Sequence, residues 1–143
     1  MYGSEMYNRE IDMKRDRLLN KELIAEVAGL GHTEYLVIAD CGLPIPKGVK
    51  TIDLSVRAGL PGFLDVLDAV REELVVESVI LASEIDEKSP GLAAELAKRY
   101  TPEQTAKVPH EKFKELTKNA KCVVRTGETI SYANIILVGG VNF

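Results

Sequence analysis

The sequence is poor in the features that mark several functional classes. Its 143 residues include no tryptophan, two cysteines and two histidines, and 18 lysines and arginines are outnumbered by 22 aspartates and glutamates. With a net charge of −4 and no basic stripe, the chain lacks the positive surface that neutralises phosphates, so we expect no nucleic-acid partner. No apolar run approaches the roughly 20 residues that cross a bilayer, so we expect no membrane association.

Two further absences concern the cellular compartment. The charged N-terminal residues contain no apolar core of a signal peptide, so we expect none. Two cysteines, Cys41 and Cys122, make no disulfide framework. Both observations favour a reduced, cytoplasmic location.

What is present is the composition of an ordinary globular domain, with 45% apolar and 28% charged residues. We interpret residues 1–12 as a flexible N-terminal extension, because a second plausible start follows at Met13. Residues 13–143 have no internal repeat, linker or low-complexity tract. They therefore predict a single domain.

Helical and strand patterns alternate along this domain. Continuous apolar runs at Tyr35–Ala39, 122–124 and 135–138 predict strands buried on both faces. A further buried strand is predicted at 75–82, and shorter strands are predicted at 51–54 and 105–108. Helices are predicted after the capping residue Asn20, over 62–73, over 90–99 and after Pro109. The alternation predicts an α/β fold, a three-layer α/β/α sandwich around a mostly parallel, mixed sheet.

The first candidate functional residues flank the first buried strand. His32 precedes it and could move protons near neutral pH, while Asp40 follows it, where open α/β sheets place ligands. Each also fits a structural role, His32 as a loop residue and Asp40 as the start of an Asx-turn. A straight strand would separate them by ~25 Å, so contact requires a folded-back chain or a second subunit.

The other candidates lie later in the chain. His110 begins a helix, where the helix dipole disfavours a charged imidazole, and a neutral imidazole can both donate to and accept from sugar hydroxyls. The segment from Gly127 to Asn134 joins two buried strands and offers the Tyr132 hydroxyl and the Asn134 amide. These groups suit an uncharged polyol, although a solvated helix start and an ordinary turn explain them equally simply.

Taken together, these motifs resemble the ribose pyranase family, which is related to the L-fucose mutarotases. The matching pieces keep their order from Met13 to Phe143 and include Leu30-Gly31-His32-Thr33, Val37-Ile38-Ala39-Asp40, Gly42-Leu43-Pro44-Ile45-Pro46, Ile52-Asp53-Leu54, Gly59-Leu60-Pro61, Glu84-Ile85, His110-Glu111, Arg125-Thr126-Gly127-Glu128 and Tyr132-Ala133-Asn134-Ile135-Ile136-Leu137. Each piece alone is weak, whereas the ordered set is specific.

The resemblance implies an isomerase that interconverts the pyranose and furanose rings of D-ribose without a cofactor or metal. It implies that His32 is the catalytic proton donor. It implies substrate-binding roles for Asp40, His110, Tyr132, Ala133 and Asn134, and a position near the site for Lys114. It also implies a homo-oligomer, a decamer of two pentamers, with active sites between subunits.

Four alternatives stay open on the sequence. The substrate could be L-fucose or another monosaccharide, and the protein could bind sugar without catalysis. Cys41, His32 and Asp40 could form a cysteine hydrolase, although no helix that would activate the thiol follows Cys41. A metal site is disfavoured, because the histidines have no ligand spacing and Cys122 lies inside an apolar strand.

Overall fold

The structure, a computed structural model, describes residues 17–141. Within them the chain forms six strands, five α-helices and one 3₁₀ turn in the order α1 (Lys21–Gly29), β1 (Tyr35–Ala39), β2 (Lys50–Asp53), α2 (Phe63–Arg71), β3 (Val76–Ala82), α3 (Ile85–Lys88), α4 (Pro90–Ala97), the 3₁₀ turn (Pro102–Gln104), β4 (Thr105–Val108), α5 (His110–Thr117), β5 (Cys122–Arg125) and β6 (Ile135–Gly139). The extension expected at residues 1–12 lies outside the described residues.

The expected layers are confirmed. The strands form one mixed sheet in the order β2-β5-β1-β6-β3-β4. Helices α1, α2 and α4 cover one face through a core that includes Leu23, Phe63 and Leu96. Helix α5 covers part of the other face through Phe113. The result is a three-layer α/β/α sandwich.

The elements begin and end where local chemistry dictates. The Asn20 side chain accepts a hydrogen bond from the Leu23 N–H at 2.9 Å and so caps α1. Strand β1 lies between two partner strands, and its alternate side chains enter the cores on the two faces of the sheet, so residues 36–39 are almost without exposure. Its continuous apolar run therefore gave the correct prediction of a strand buried on both faces.

The direction of β6 organises the sheet around the candidate residues. Strands β1, β2, β3, β4 and β5 all run one way, and β6 runs antiparallel between β1 and β3. The carboxyl ends of the five parallel strands therefore share one edge of the sheet with the start of β6. Asp40 and His110, which follow β1 and β4, lie at this edge, and His32 lies at the opposite edge.

The end of β6 positions the chain that carries His32. The Thr33 N–H donates to the carbonyl oxygen of Gly139 at 2.9 Å. A Cβ atom at Gly139 would lie 2.4 Å from the Gly31 carbonyl oxygen, which is too close for a real contact. Only glycine at position 139 allows this approach of the two backbones.

We therefore expect Gly139→Ala to lower the free energy of unfolding by about 1–3 kcal/mol, because the Gly31–Thr33 turn must shift to admit the methyl group. Urea unfolding followed by circular dichroism measures the change. Gly29→Ala is the matched control, since a Cβ there meets no atom within 4 Å. Equal stability of the two variants would contradict the close approach.

Candidate active site

A depression at the carboxyl edge of the sheet brings three of the six candidate residues together. Its volume is about 380 Å³, and it is lined by residues 40–44, by His110 and by residues 128–132. This volume falls within the roughly 300–1,000 Å³ of small-molecule sites. The structure thus places Asp40, His110 and Tyr132 around one cavity.

Asp40 is held in place by Asn134, 94 residues further along the chain. The Asp40 N–H donates to Asn134 Oδ1 at 2.8 Å, and Asn134 Nδ2 donates to Asp40 Oδ2 at 3.1 Å. The Gly42 N–H donates to Asp40 Oδ1 at 3.0 Å, which is the Asx-turn that the sequence allowed as an alternative. The carboxylate is therefore oriented by two neighbours and still only partly buried.

The sheet order explains this pair. Because β1 lies between β5 and β6, the connection from β5 to β6 must cross the carboxyl end of β1. The crossing is fixed at its start by Thr126, whose hydroxyl donates to the Ala39 carbonyl oxygen at 2.8 Å, and at its end by Asn134. Asn134 is 1% exposed, so its side chain supports Asp40 from below the surface of the depression.

His110 is the first residue of α5 and is anchored through its backbone. Its N–H donates to both carboxylate oxygens of Glu84, at 2.9 and 3.2 Å. The imidazole meets the Tyr132 ring edge-on, with 5.1 Å between centroids, and stacks beside Phe113. Its Nδ1 atom is buried without a hydrogen-bond partner.

The residues of the segment 132–134 differ in how they are placed relative to the depression. Tyr132 has a positive φ of 61°, which turns its ring toward His110. The Ala133 side chain is fully buried in the core, so only its backbone can face a ligand. Tyr132 alone of the three lines the depression.

Glu128 is a site residue whose role no local pattern revealed. One carboxylate oxygen accepts from the Phe63 N–H at 2.9 Å, and the other accepts from the N–H groups of Thr129 and Ile130. The carboxylate thereby ties the wall of the depression to the start of α2. The sequence could not show this, because Phe63 and Glu128 are 65 residues apart.

His32 does not reach the depression within one chain. It lies at the opposite edge of the sheet, where its Nε2 is 2.7 Å from Glu77 Oε1. Strand β1, which spans roughly 15 Å, separates it from Asp40. Of the two routes to contact that the sequence left open, the described chain does not fold back, and a second subunit remains.

Lys114 and Cys41 occupy different surroundings. Lys114 pairs with Glu111 at 2.9 Å on the surface of α5, and this hydrogen bond lowers the pKa of the Glu111 carboxyl; Lys114 does not line the depression. Cys41 is exposed at the rim and has no imidazole of His32 beside it. The proposed arrangement of a cysteine hydrolase is therefore not assembled within one chain.

A second recess of about 410 Å³ lies between α4 and β4 and is mainly aliphatic, with Leu81, Leu96 and Tyr100 in its walls. Its one charged group, Lys107, is paired with Asp86. The smaller depression at Asp40 carries the acid–base groups and is the better candidate site.

Residues 17–141 contain no cluster of three or more His, Cys, Asp or Glu side chains that could hold a metal ion. Over the same residues, no helix has the length and apolar character that crossing a membrane requires.

Comparison with known proteins identifies relatives over most of the chain. A protein named D-ribose pyranase from Geobacillus thermodenitrificans is 53% identical over 131 residues, which make up 92% of this chain and 99% of the relative. A D-ribose pyranase from Bacillus cereus is 49% identical over the same share of this chain and 100% of its own length.

Solved structures agree with the observed fold. A structure of Bacillus subtilis RbsD complexed with D-ribose matches with a TM-score of 0.88 and 47% identity, covering 92% of this chain and 100% of that one. A fucose mutarotase from Streptococcus pneumoniae in complex with L-fucose shares the fold, with a TM-score of 0.72 and 24% identity, over 87% of this chain and 94% of that chain. The model of the RbsD / FucU transport protein family matches residues 13–142, and the chain belongs to this family.

Proposed function

We propose that this protein is a D-ribose pyranase, an isomerase that interconverts the pyranose and furanose rings of ribose without a cofactor. The observation that carries the proposal is the depression in which Asp40, oriented by Asn134, faces His110 and Tyr132. The 53% identity to a protein of that name supports the choice of ribose. The lower identity of 24% to a fucose mutarotase makes L-fucose the weaker alternative.

The chemistry of the depression favours an uncharged sugar. Among the described residues that line it, Asp40 and Glu128 are acidic and none is lysine or arginine. A phosphorylated sugar would need cationic partners, which phosphate sites provide. A neutral ribose offers hydroxyls that can donate to Asp40 and exchange hydrogen bonds with His110 and Tyr132.

The reaction requires proton transfer and no redox step. In the first half, the anomeric hydroxyl loses its proton, the bond between C1 and the ring oxygen breaks, and that oxygen gains a proton to give the open-chain aldehyde. In the second half, a different hydroxyl loses its proton, its oxygen bonds to C1, and the aldehyde oxygen gains a proton to become the new anomeric hydroxyl. His32 would take the proton from one oxygen and deliver it to the other in each half, so no net proton is consumed.

In this mechanism the residues of the depression bind and orient the sugar. Asp40 accepts from sugar hydroxyls, with Asn134 fixing the direction of its carboxylate. His110 and Tyr132 hold further hydroxyls, and the backbone of Ala133, next to Tyr132 in the chain, is proposed to assist in binding. General acid–base assistance contributes about 10²–10⁴-fold. That range suits a ring opening that also proceeds unaided in water.

A complete site requires two copies of the chain, because His32 and Asp40 lie at opposite edges of one sheet. We propose the decamer of two pentamers, with each active site shared by neighbouring subunits. The apolar side chains of Val56, Leu60 and Ile130, exposed on loops near the depression, support a covering partner. On the face of the sheet that α5 covers only in part, the half-buried Ile80 and the exposed Ala106 form a further apolar patch.

We place this activity in the cytoplasm, in ribose catabolism. Both cysteines are free thiols, as expected in a reducing compartment.

We expect His32→Ala to slow enzyme-dependent ribose ring exchange by about 10²–10⁴-fold, because the proton-transferring group is removed. Saturation-transfer NMR on the anomeric protons of ribose measures exchange between the ring forms. Lys98→Ala, which removes another exposed side chain, is the control and should match wild type. If the wild-type protein leaves ring exchange at the rate seen in buffer alone, sugar binding without catalysis is the function that remains. If His32→Ala exchanges ribose at the wild-type rate, His32 has no part in the mechanism.

We expect two inactive variants to restore each other when they are mixed in one oligomer. If each site takes His32 from one subunit and His110 from its neighbour, random assembly of His32→Ala with His110→Ala yields about a quarter of intact sites. Co-expression with two affinity tags isolates the mixed oligomers for the NMR assay. Sites built within a single chain would give no recovery, and native mass spectrometry reports whether the assembly is a decamer.

We expect iodoacetamide to label Cys41 and to leave Cys122 unmodified in the folded protein at pH 8. Burial raises the pKa of the Cys122 thiol to about 11, so both access and the thiolate are lacking there, whereas Cys41 is exposed. Peptide mass spectrometry locates the label, and ribose should protect Cys41 because this residue lines the depression. A Cys41→Ala variant that exchanges ribose ring forms at the wild-type rate would exclude the thiol as nucleophile. Loss of ring exchange in this variant would favour the alternative that uses the thiol.

A further inference from the structure

The imidazole of His32 has a carboxylate partner that no local sequence pattern indicates. Its Nε2 lies 2.7 Å from Oε1 of Glu77, a residue 45 positions away on β3. Both side chains are about half exposed, at 52% and 49%. One ring nitrogen is thus engaged, while Nδ1 is the nitrogen left for another partner.

A β-bulge brings Glu77 to this position. Val76 pairs with Gly139 and Ser78 pairs with Val138, so Glu77 is an extra residue inserted between two consecutive positions of β6. Bulges turn a side chain away from the regular alternation of a strand and occur frequently beside active sites. Here the extra residue lies at the edge of the sheet that holds His32.

The backbone on both sides of His32 is fixed as well. Thr33 has a φ of 70°, a conformation that is an outlier for a β-branched residue, and its N–H donates to the Gly139 carbonyl oxygen. The Gly31 N–H donates to Glu34 Oε1 at 2.6 Å, and the Glu34 N–H donates to the Gly31 carbonyl oxygen. The imidazole therefore projects from a rigid turn toward a fixed carboxylate.

Stability does not account for this arrangement. A surface contact whose two partners are each about half exposed contributes little to folding, and a strained φ opposes it. Strain of this kind persists chiefly where it positions a functional group. The direction of the His32 ring is what the turn and the bulge fix together.

We propose that Glu77 is a positioning residue that sets the orientation and tautomer of His32. Its carboxylate accepts the Nε2–H, so Nδ1 is the nitrogen that takes a proton from one sugar oxygen and returns it to another. This role rests on the proposed function, because it supplies the proton-exchanging nitrogen of that reaction.

The experiment compares wild type with Glu77→Ala and Glu77→Gln. Loss of the carboxylate should lower kcat of ribose ring exchange by about 10- to 100-fold and leave KM within about threefold, because Glu77 acts on His32 rather than on the sugar. Glu26→Gln is the matched control, since it breaks the Lys50–Glu26 ion pair, also 2.7 Å long, which joins α1 to β2. Equal urea midpoints for the Glu77 variants and this control would separate an effect on rate from an effect on folding.

Nitrogen-15 NMR of the imidazole rings gives a readout that does not depend on activity. The chain has two histidines, so the His32→Ala spectrum assigns the signals. At a pH where the ring is neutral, wild-type His32 should show the Nε2–H tautomer, and Glu77→Ala should show a mixture of both tautomers. Wild-type His32 with its proton on Nδ1, or a Glu77→Ala variant with wild-type kcat and spectrum, would overturn the proposal. Absence of ring exchange by the wild type would instead contradict the proposed function, while the spectrum still tests the geometry.

Discussion

The hydrogen bonds between Asp40 and Asn134 depend on one constraint, the insertion of an antiparallel strand into a parallel sheet. β6 lies between β1 and β3 and runs against both, so the chain leaving β5 must pass over the end of β1 before it can enter the sheet. The Asp40 N–H and carboxylate then meet the amide of Asn134, the last residue before β6. A purely parallel sheet would place its last strand's entry at the other edge and would leave Asp40 without this partner.

The same strand sets the position of His32. β6 ends at Gly139, at the opposite edge, where its carbonyl oxygen accepts from Thr33 and its missing side chain admits the Gly31 backbone. One strand thus positions the proposed sugar-binding residues at its start and the proposed proton-transferring residue at its end, with the length of β1 between them. The distance between the two groups is a property of the fold, which is why we propose that a second copy of the chain completes each site.

How much of the fold and of the candidate site could be predicted from the sequence depends on how far apart along the chain the interacting residues lie. Runs such as Tyr35–Ala39 gave correct strands, because burial on both faces leaves an unbroken apolar pattern. The three-layer class followed from the alternation of elements, and the resemblance supplied the direction of the functional prediction. The pairs Asp40–Asn134 and His32–Glu77 could not be predicted, because they depend on strand order and on a bulge, which leave no local signal. The short helix α3 was also missed, since four residues carry too little periodicity.

Two residues with a positive φ connect the fold to the chemistry. Thr33 follows His32, and Tyr132 contacts the ring of His110, so each of these two residues adjoins a candidate imidazole; the third such residue in the described part of the chain is Arg17. Such conformations cost about 1–3 kcal/mol each and persist where the surrounding structure requires them. A ring opening that already proceeds in water needs no strong nucleophile, so the enzyme can accelerate it chiefly by holding an imidazole at the correct angle to a bound sugar. Backbone strain at both edges of the sheet therefore serves to orient side chains, which is the contribution that the proposed reaction needs from the protein.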